Sequence, residues 1–373
     1  MALLLYSLLS SAKLRPVKGR FVVALCLVGA QTNCYSSSDA ESSRKTRRIS
    51  ALNLQITVIP AVLLHAEPPE CVAEAEVNRL SGLALNALGR TLPDPRRCWP
   101  LSVRRQQAFC NRARTADLAI ISMPKSGRTW LRAMLSRLYQ EQMGMPDGEL
   151  LIFDNFHAWS PELPRILFSH IGELFESGEG PEILRGKPVF HLVRWPIDTA
   201  ISRYFQAKGR TNAFKLGLNG LPADVGRVPI FDFVTSPRHG VPYIVRRLNE
   251  LAEYLESHPA ALTIKYEEAR KSPADALLRV IIHSGRSATP ESVERAVDYA
   301  SFSNLQQMEQ AGVFKNDRLR ARNSSNPDTY KVRRGKIGGY RDYLSAHQCA
   351  ELESFIQANL TPSYGYASPP SYS

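Results

Sequence analysis

Residues 117–130 read DLAIISMPKSGRTW, and they decide the fold. Asp117 to Met123 is an apolar run of strand length, the pattern of a short buried strand. Pro124 to Arg128 is rich in turn formers. Beyond it Leu131, Met134, Leu135 and Leu138 recur at helical spacing, with Arg132 and Arg137 on another face. A strand, a tight loop and a helix in this order make an anion site. Gly127 lets the backbone approach a ligand, and the helix start offers unpaired N–H groups. Lys125 adds a point charge, and Ser126 and Thr129 add hydroxyl donors. The loop is not a Walker A sequence, because no GxxxxGK[ST] occurs in the chain. Taken alone, its alternative is an ordinary tight turn.

Working outward, the same alternation repeats. Lys187 to Val193 (KPVFHLV) reads as a second strand, and Pro196 to Asp198 leads into a helix marked by Ile201, Tyr204 and Phe205. A helix over Val245 to Ser257 precedes a strand over Ala261 to Lys265. Further helices are predicted over Pro273 to His283, Pro290 to Tyr299 and Ala346 to Asn359. Strands alternating with helices specify an α/β fold of three layers, a central parallel sheet flanked by helices. Ligands of such sheets bind at the carboxyl ends of the strands, where the loops after Met123 and Val193 open.

Two more clusters suit an anion. Arg194 ends the second strand in RWPIDTAIS, and Ser202 follows eight residues later in the helix. An Arg can clamp a phosphate through two N–H groups, and a Ser adds a donor. Arg333, Arg334 and Gly335 lie in VRRGKIGGY, a Gly-rich segment able to fold over a phosphate.

Together, in this order, the three clusters resemble the sulfotransferases that use PAPS (3′-phosphoadenosine-5′-phosphosulfate). The resemblance runs over about residues 116–360, from PKSGRTW to RRGKIGGY. It implies a P-loop NTPase-like domain at 116–365, preceded by an N-terminal extension at 1–115. It implies transfer of a sulfuryl group from PAPS to a hydroxyl or amine, with PAP (adenosine 3′,5′-bisphosphate) released. It implies that Lys125, Ser126, Gly127, Arg128 and Thr129 hold the 5′-phosphosulfate, and that Arg194, Ser202, Arg333, Arg334 and Gly335 hold the 3′-phosphate. Trp130, Tyr266 and Phe302 match the family's adenine-contacting aromatics. His170, in FSHI and 24 residues before Arg194, takes the place of the family's catalytic base, with Lys125 stabilising the leaving oxygen. No metal is implied, and the chain has no metal-ligand spacing. Four positions depart from the pattern. Arg128 stands for a Thr, Phe168 for a common Lys, Trp195 for an Asn, and Gly339-Tyr340 for Asp-Trp.

Composition sets limits. The chain has 373 residues and a net charge of +12, enough for one large α/β domain plus an extension. The charge is uneven, for residues 1–116 hold sixteen Lys/Arg against seven Asp/Glu. No zinc-finger spacing and no RNP motif accompany it, which argues against a nucleic-acid partner. Five of the six Cys lie at or before Cys110 and none forms a CxxC pair, so a reducing, cytoplasmic setting fits the catalytic part. Lys13 to Arg20 followed by the apolar Phe21 to Ala30 resembles a targeting segment, but ten residues are too short to span a bilayer. Membrane contact through this end is therefore an alternative to a cytoplasmic location, as is a misassigned leader. A second apolar run covers Leu52 to Leu64, and a short helix is predicted over Cys71 to Leu88. Residues 207–243 lack periodicity and read as a mobile lid over the acceptor. Phe214, Leu216, Leu218, Phe231 and Phe233 would give that lid an apolar inner side, which favours a small hydrophobic acceptor over an anionic glycan. Two rival readings stay open: a P-loop nucleotide kinase or phosphotransferase, and a PAP-binding protein without turnover. A homo-oligomer also stays open.

Overall fold

The computed structural model describes residues 99–315, 317–320 and 329–371. The basic and apolar N-terminal runs and the helix expected over Cys71 to Leu88 lie outside them. Four strands, β1 (Leu118–Ser122), β2 (Ile166–His170), β3 (Val189–Val193) and β4 (Ala261–Lys265), form a parallel sheet in the order β2-β1-β3-β4. Every residue of β1 and β3 is buried, which explains their unbroken apolar character. Successive side chains of β1 point to opposite faces. Leu118 and Ile120 join Phe190, Leu192 and Ile264 under the helices Arg128–Met143, Pro273–His283 and Pro290–Tyr299. Ala119 and Ile121 join Leu167, Val189 and Val193 under Trp99–Thr115, Pro196–Arg210, Val241–Glu256 and Ala346–Asn359. The result is the expected three-layer α/β arrangement.

Three features differ from the sequence reading. Strand β2 was legible only as the stretch holding His170, because five residues with two polar ones give a weak periodic signal. The helix Trp99–Thr115 falls in the expected extension, yet it buries Phe109, Cys110 and Ala113 in the core. Packed chain thus begins ahead of residue 116, and Pro100 sits in the first turn of this helix, where no proline N–H is needed. Residues 207–243 are largely helical: Pro196–Arg210 runs into them, followed by Ala213–Leu218 and Ile230–Thr235, before Val241–Glu256 begins.

The sheet order positions the site. From β1 the chain crosses to β2 on one side, and from β3 it crosses to β4 on the other. The switch point lies between the carboxyl ends of β1 and β3, and ligands of open α/β sheets bind there.

Candidate functional site

The loop after β1 holds two left-handed residues, Lys125 (φ 78°) and Gly127 (φ 96°). For lysine this conformation stores strain, which persists where the surroundings over-determine it. Gly127 is needed for a steric reason as well. A Cβ there would lie 2.6 Å from Cδ2 and 2.8 Å from Cε2 of Tyr266. The helix Arg128–Met143 starts at Gly127 with no side-chain cap, leaving its first-turn N–H groups for an anion.

Below this loop opens a cavity of about 1070 Å³. Of the sequence-derived site residues, only Ser126 is absent from its lining. Ser126 is buried beneath, and its Oγ has no hydrogen-bond partner. Lys125 places Nζ 3.3 Å from Gln206 Oε1. Burial, and then Lys331, Arg210, Arg194 and Arg333, lower its pKa well below the usual lysine value. Thr129, Trp130 and Ser202 enter from the helices Arg128–Met143 and Pro196–Arg210, and Phe302 from Phe302–Ala311. Tyr266 stands edge-on to Trp130, with ring centroids 6.0 Å apart.

Arg194 acts first as a bracket. Its Nη1 donates to the Lys125 carbonyl at 3.1 Å, its Nη2 to the Lys336 carbonyl at 3.0 Å, and its guanidinium lies 4.5 Å over the Tyr266 ring. One side chain thereby ties the β1 loop to the Gly-rich segment. Asp198 secures the same segment by accepting from the backbone N–H groups of Gly338 (2.8 Å) and Tyr340 (3.1 Å). Gly339-Tyr340, the departure from Asp-Trp, thus keeps a structural role: Tyr340 is fully buried and its hydroxyl donates to Glu353. Arg333 and Arg334 both donate to the Tyr343 hydroxyl, at 2.5 and 2.8 Å, which aligns two cations at the cavity wall. Gly335 (φ 63°) lets the backbone pass against the Phe302 ring, where a Cβ would meet Cδ2 at 2.8 Å.

His170 ends β2 and lines the same cavity. Glu173 Oε2 fixes its backbone by accepting from the His170 N–H at 3.0 Å and from Ser169 Oγ at 2.7 Å. Arg128 reaches over from the β1 loop, donating to the Ser169 carbonyl and placing Nη2 2.8 Å from Nε2 and 3.0 Å from Nδ1 of the ring. Burial and the Arg128 charge, with Lys331 behind them, hold the His170 pKa well below its usual value of 6.5. The imidazole is therefore neutral at pH 7, as a proton acceptor must be.

Sequence reasoning missed most cations of this wall, Arg132, Arg203 and Lys331 among them. Arg132, read as lying on another helix face from Leu131, Met134, Leu135 and Leu138, is buried: it donates to the Leu151 carbonyl at 2.5 Å and lies 3.8 Å over the Phe168 ring. Phe168, the residue in place of a lysine, thus carries a cation on its face. Arg203 is buried one residue beyond Ser202, and Lys331 precedes the Arg pair. Their helical or loop positions gave no periodic signal that they turn inward. Of the apolar residues expected to line the cavity from 207–243, Leu216, Phe231 and Phe233 are not among its lining, whereas Leu221 of the same segment is. Leu216 and Phe233 are buried in the hydrophobic core, Phe231 packs against it, and the side chains of Phe214 and Leu218 lie outside the described residues.

Lys331 makes one prediction. Burial, then Arg210, Arg128 and Arg318, lower its pKa to about 8. An anion placed among these groups favours the charged form, so binding of PAP or sulfate near pH 8 should take up protons. Titration calorimetry in buffers of different ionisation enthalpy measures this uptake. A buffer-independent heat would mean that Lys331 does not meet the anion.

A family model described as the sulfotransferase domain matches residues 115–363. Cytosolic sulfotransferase 13 of Arabidopsis thaliana is 24% identical over 265 residues, 66% of this chain and 78% of that protein. The flavonol 3-sulfotransferase of Flaveria bidentis is 22% identical over 275 residues, covering 68% of this chain and 84% of its own. Among solved structures, the mouse sulfotransferase SULT7A1 complexed with PAP aligns with a TM-score of 0.45 at 18% identity, over 69% of this chain and 89% of that one.

Proposed function

The chain belongs to the sulfotransferase domain family and is a sulfotransferase, and from that premise we propose that it uses PAPS as donor, with His170 as the general base. One observation carries the reading: Lys125, His170, Arg194, Ser202, Arg333 and Arg334, distant in sequence, line one cavity. The cavity suits the donor chemically. Cations, the loop after β1 and the side chains of Trp130, Tyr266 and Phe302 line it together, with Phe302 against Gly335. In this reading the three rings hold the adenine, Arg333, Arg334 and Ser202 meet the 3′-phosphate, and Arg194 keeps the two phosphate loops together. Lys125, Thr129 and the first-turn N–H groups meet the phosphosulfate.

Transfer then follows from where the groups stand. His170 accepts the proton of the acceptor hydroxyl as the new sulfur–oxygen bond forms. The bond from sulfur to the bridging oxygen breaks, and its electron pair leaves on PAP. Lys125 and the loop N–H groups stabilise the negative charge growing on that oxygen. Arg128 has to let go of the imidazole first, because its Nη2 sits on the nitrogens that must take the proton. Sulfuryl oxygens offer that guanidinium a better partner than a neutral ring.

A pH prediction tests this pairing. With His170 held below 6.5, the acid limb of kcat/KM should fall below pH 6.5, activity being lost as the base becomes protonated. Arg128→Thr removes the nearest cation, so the limb should move up towards 6.5. A limb that stays in place would separate Arg128 from the base.

The donor assignment is tested by melting the protein with PAP and with ATP-Mg, then measuring PAP release from PAPS over a panel of acceptors. PAP at about 100 times its Kd should add about 2.7 kcal/mol of apparent stability, and ATP-Mg little. Stabilisation by ATP-Mg alone would support the phosphotransferase instead. Binding of PAP with no turnover of any acceptor would support the inactive relative. The reading places the enzyme in the cytoplasm, supported by the names of its plant relatives. Among the described residues no helix is long and apolar enough to cross a membrane.

A further inference from the structure

The cavity holds far more positive charge than its own carboxylates balance. Among its described lining residues, seventeen are Lys or Arg, against Asp198, Glu173 and Glu176. Those three are committed. Asp198 holds the Gly338 and Tyr340 N–H groups, Glu173 holds Ser169 and the His170 backbone, and Glu176 pairs with Arg247. Carboxylates outside the lining meet part of the excess, Glu309 at Arg210, Glu250 at Arg247 and Asp342 at Arg334 and Lys336, and the donor meets a further part through Lys125, Arg128, Arg194 and Arg333.

Among the remaining lining cations, Arg132 and Arg203 are buried with only carbonyl oxygens and ring faces around them. They are only 4% and 8% exposed, and both line the cavity. Arg203 donates to the His239 carbonyl at 3.0 Å and lies 5.2 Å over the Tyr243 ring. Arg132 has the Leu151 and Ile152 carbonyls and the Phe168 ring. Neither forms an ion pair with a described carboxylate. Carbonyl oxygens and ring faces steady a guanidinium, but they leave its charge uncancelled, and an unpaired buried charge is unfavourable until a counter-charge arrives. Burial leads the forces lowering the pKa of both groups, and for Arg132 the neighbouring Arg318 and Arg128 add to it. Arg238, also in the wall, adds a further charge on the Arg203 side, where His239 feels both.

We propose that the acceptor is a small molecule carrying an oxyanion (a carboxylate, sulfate or phosphate) besides the hydroxyl that is sulfated, and that Arg203 and Arg132 bind this anion. The proposal rests on the sulfotransferase reading of the cavity and names its second substrate class. The acceptor's own charge completes a pocket that the donor alone leaves cationic, and the two guanidiniums discriminate against neutral alcohols of the same shape.

The experiment titrates the PAP-saturated full chain with matched pairs: para-hydroxyphenylacetate against its methyl ester, para-hydroxybenzyl phosphate against the free alcohol, and sulfated glucose against glucose. At least one anionic member should bind about tenfold or more tightly than its neutral twin, and the gap should narrow as salt rises. The pair that responds identifies which oxyanion is meant. Arg203→Met and Arg132→Met should each shrink the gap while PAP affinity holds. With PAP bound, equal affinity within every pair, no binding by any anionic member, or a preference that survives in both variants overturns the proposal alone. Absence of PAP binding by the unaltered chain overturns the donor reading, and this proposal with it.

Discussion

Substituting alanine for His170 is expected to lower kcat by about 10²–10⁴-fold, the usual contribution of a positioned general base, while the stabilisation by PAP stays as it was. The imidazole lines the cavity at the end of β2, across from the β1 loop, and the groups assigned to the phosphates all lie on other elements. Removing it leaves Lys125, Arg194 and the Gly-rich segment in place, so donor binding and turnover should part company. Stability gives a second readout. The folded pKa of His170 lies below its unfolded value of 6.5, so the unfolded chain binds this proton first and folding stability falls as pH drops below 6.5. In the alanine variant that slope should flatten, because the group that resists protonation is gone. A variant that turns over PAPS at the normal rate would remove His170 from the chemistry.

The sequence made the outline readable where local signals and burial agree. Helices over Pro273–His283, Pro290–Tyr299 and Ala346–Asn359 lie where the sequence predicts them, because Pro or a capping Ser starts each. The anion loop was readable because Lys125, Gly127 and the helix start lie within four residues. Arg194 and Arg333 were each readable as part of an anion cluster, but only the resemblance joined them, since no local rule says that residues 139 positions apart share a wall. What stayed hidden depends on long-range contact. Strand β2 needs β1 beside it to be a strand, and Trp99–Thr115 becomes part of the domain only by packing Phe109 and Ala113 inward. Nothing in the local pattern marked Arg132 as buried, and only the carbonyl of Leu151 and the ring of Phe168 explain why it turns into the protein. Leu216 and Phe233 likewise look the same in sequence whether they face a ligand or the core, and here the core takes them.

Gly127→Ala should be the most damaging small substitution in the donor site. Two costs combine there. The residue sits at φ 96°, where an L side chain is strained by about 1–2 kcal/mol. Its new methyl would also press on Tyr266 at 2.6 Å, an overpacking worth about 1–3 kcal/mol. Stability should therefore fall by about 2–5 kcal/mol, read as a melting temperature several degrees lower. The functional loss follows from what Tyr266 supports. Its ring lies under the Arg194 guanidinium and its hydroxyl donates to the Gly335 carbonyl at 3.4 Å. A displaced ring would carry Arg194 and the Gly-rich segment away from the β1 loop, and kcat/KM for PAPS should drop by about 10²-fold, as expected when positioning groups shift by an ångström. Tyr266→Leu separates the two causes. Trimming the ring gives the methyl room, so the stability losses of Gly127→Ala and Tyr266→Leu should combine to less than their sum. Donor use should not recover in the double variant, since Arg194 has lost its platform. Additive stability losses would show that the ring contact is not what makes glycine necessary, leaving backbone conformation as the reason.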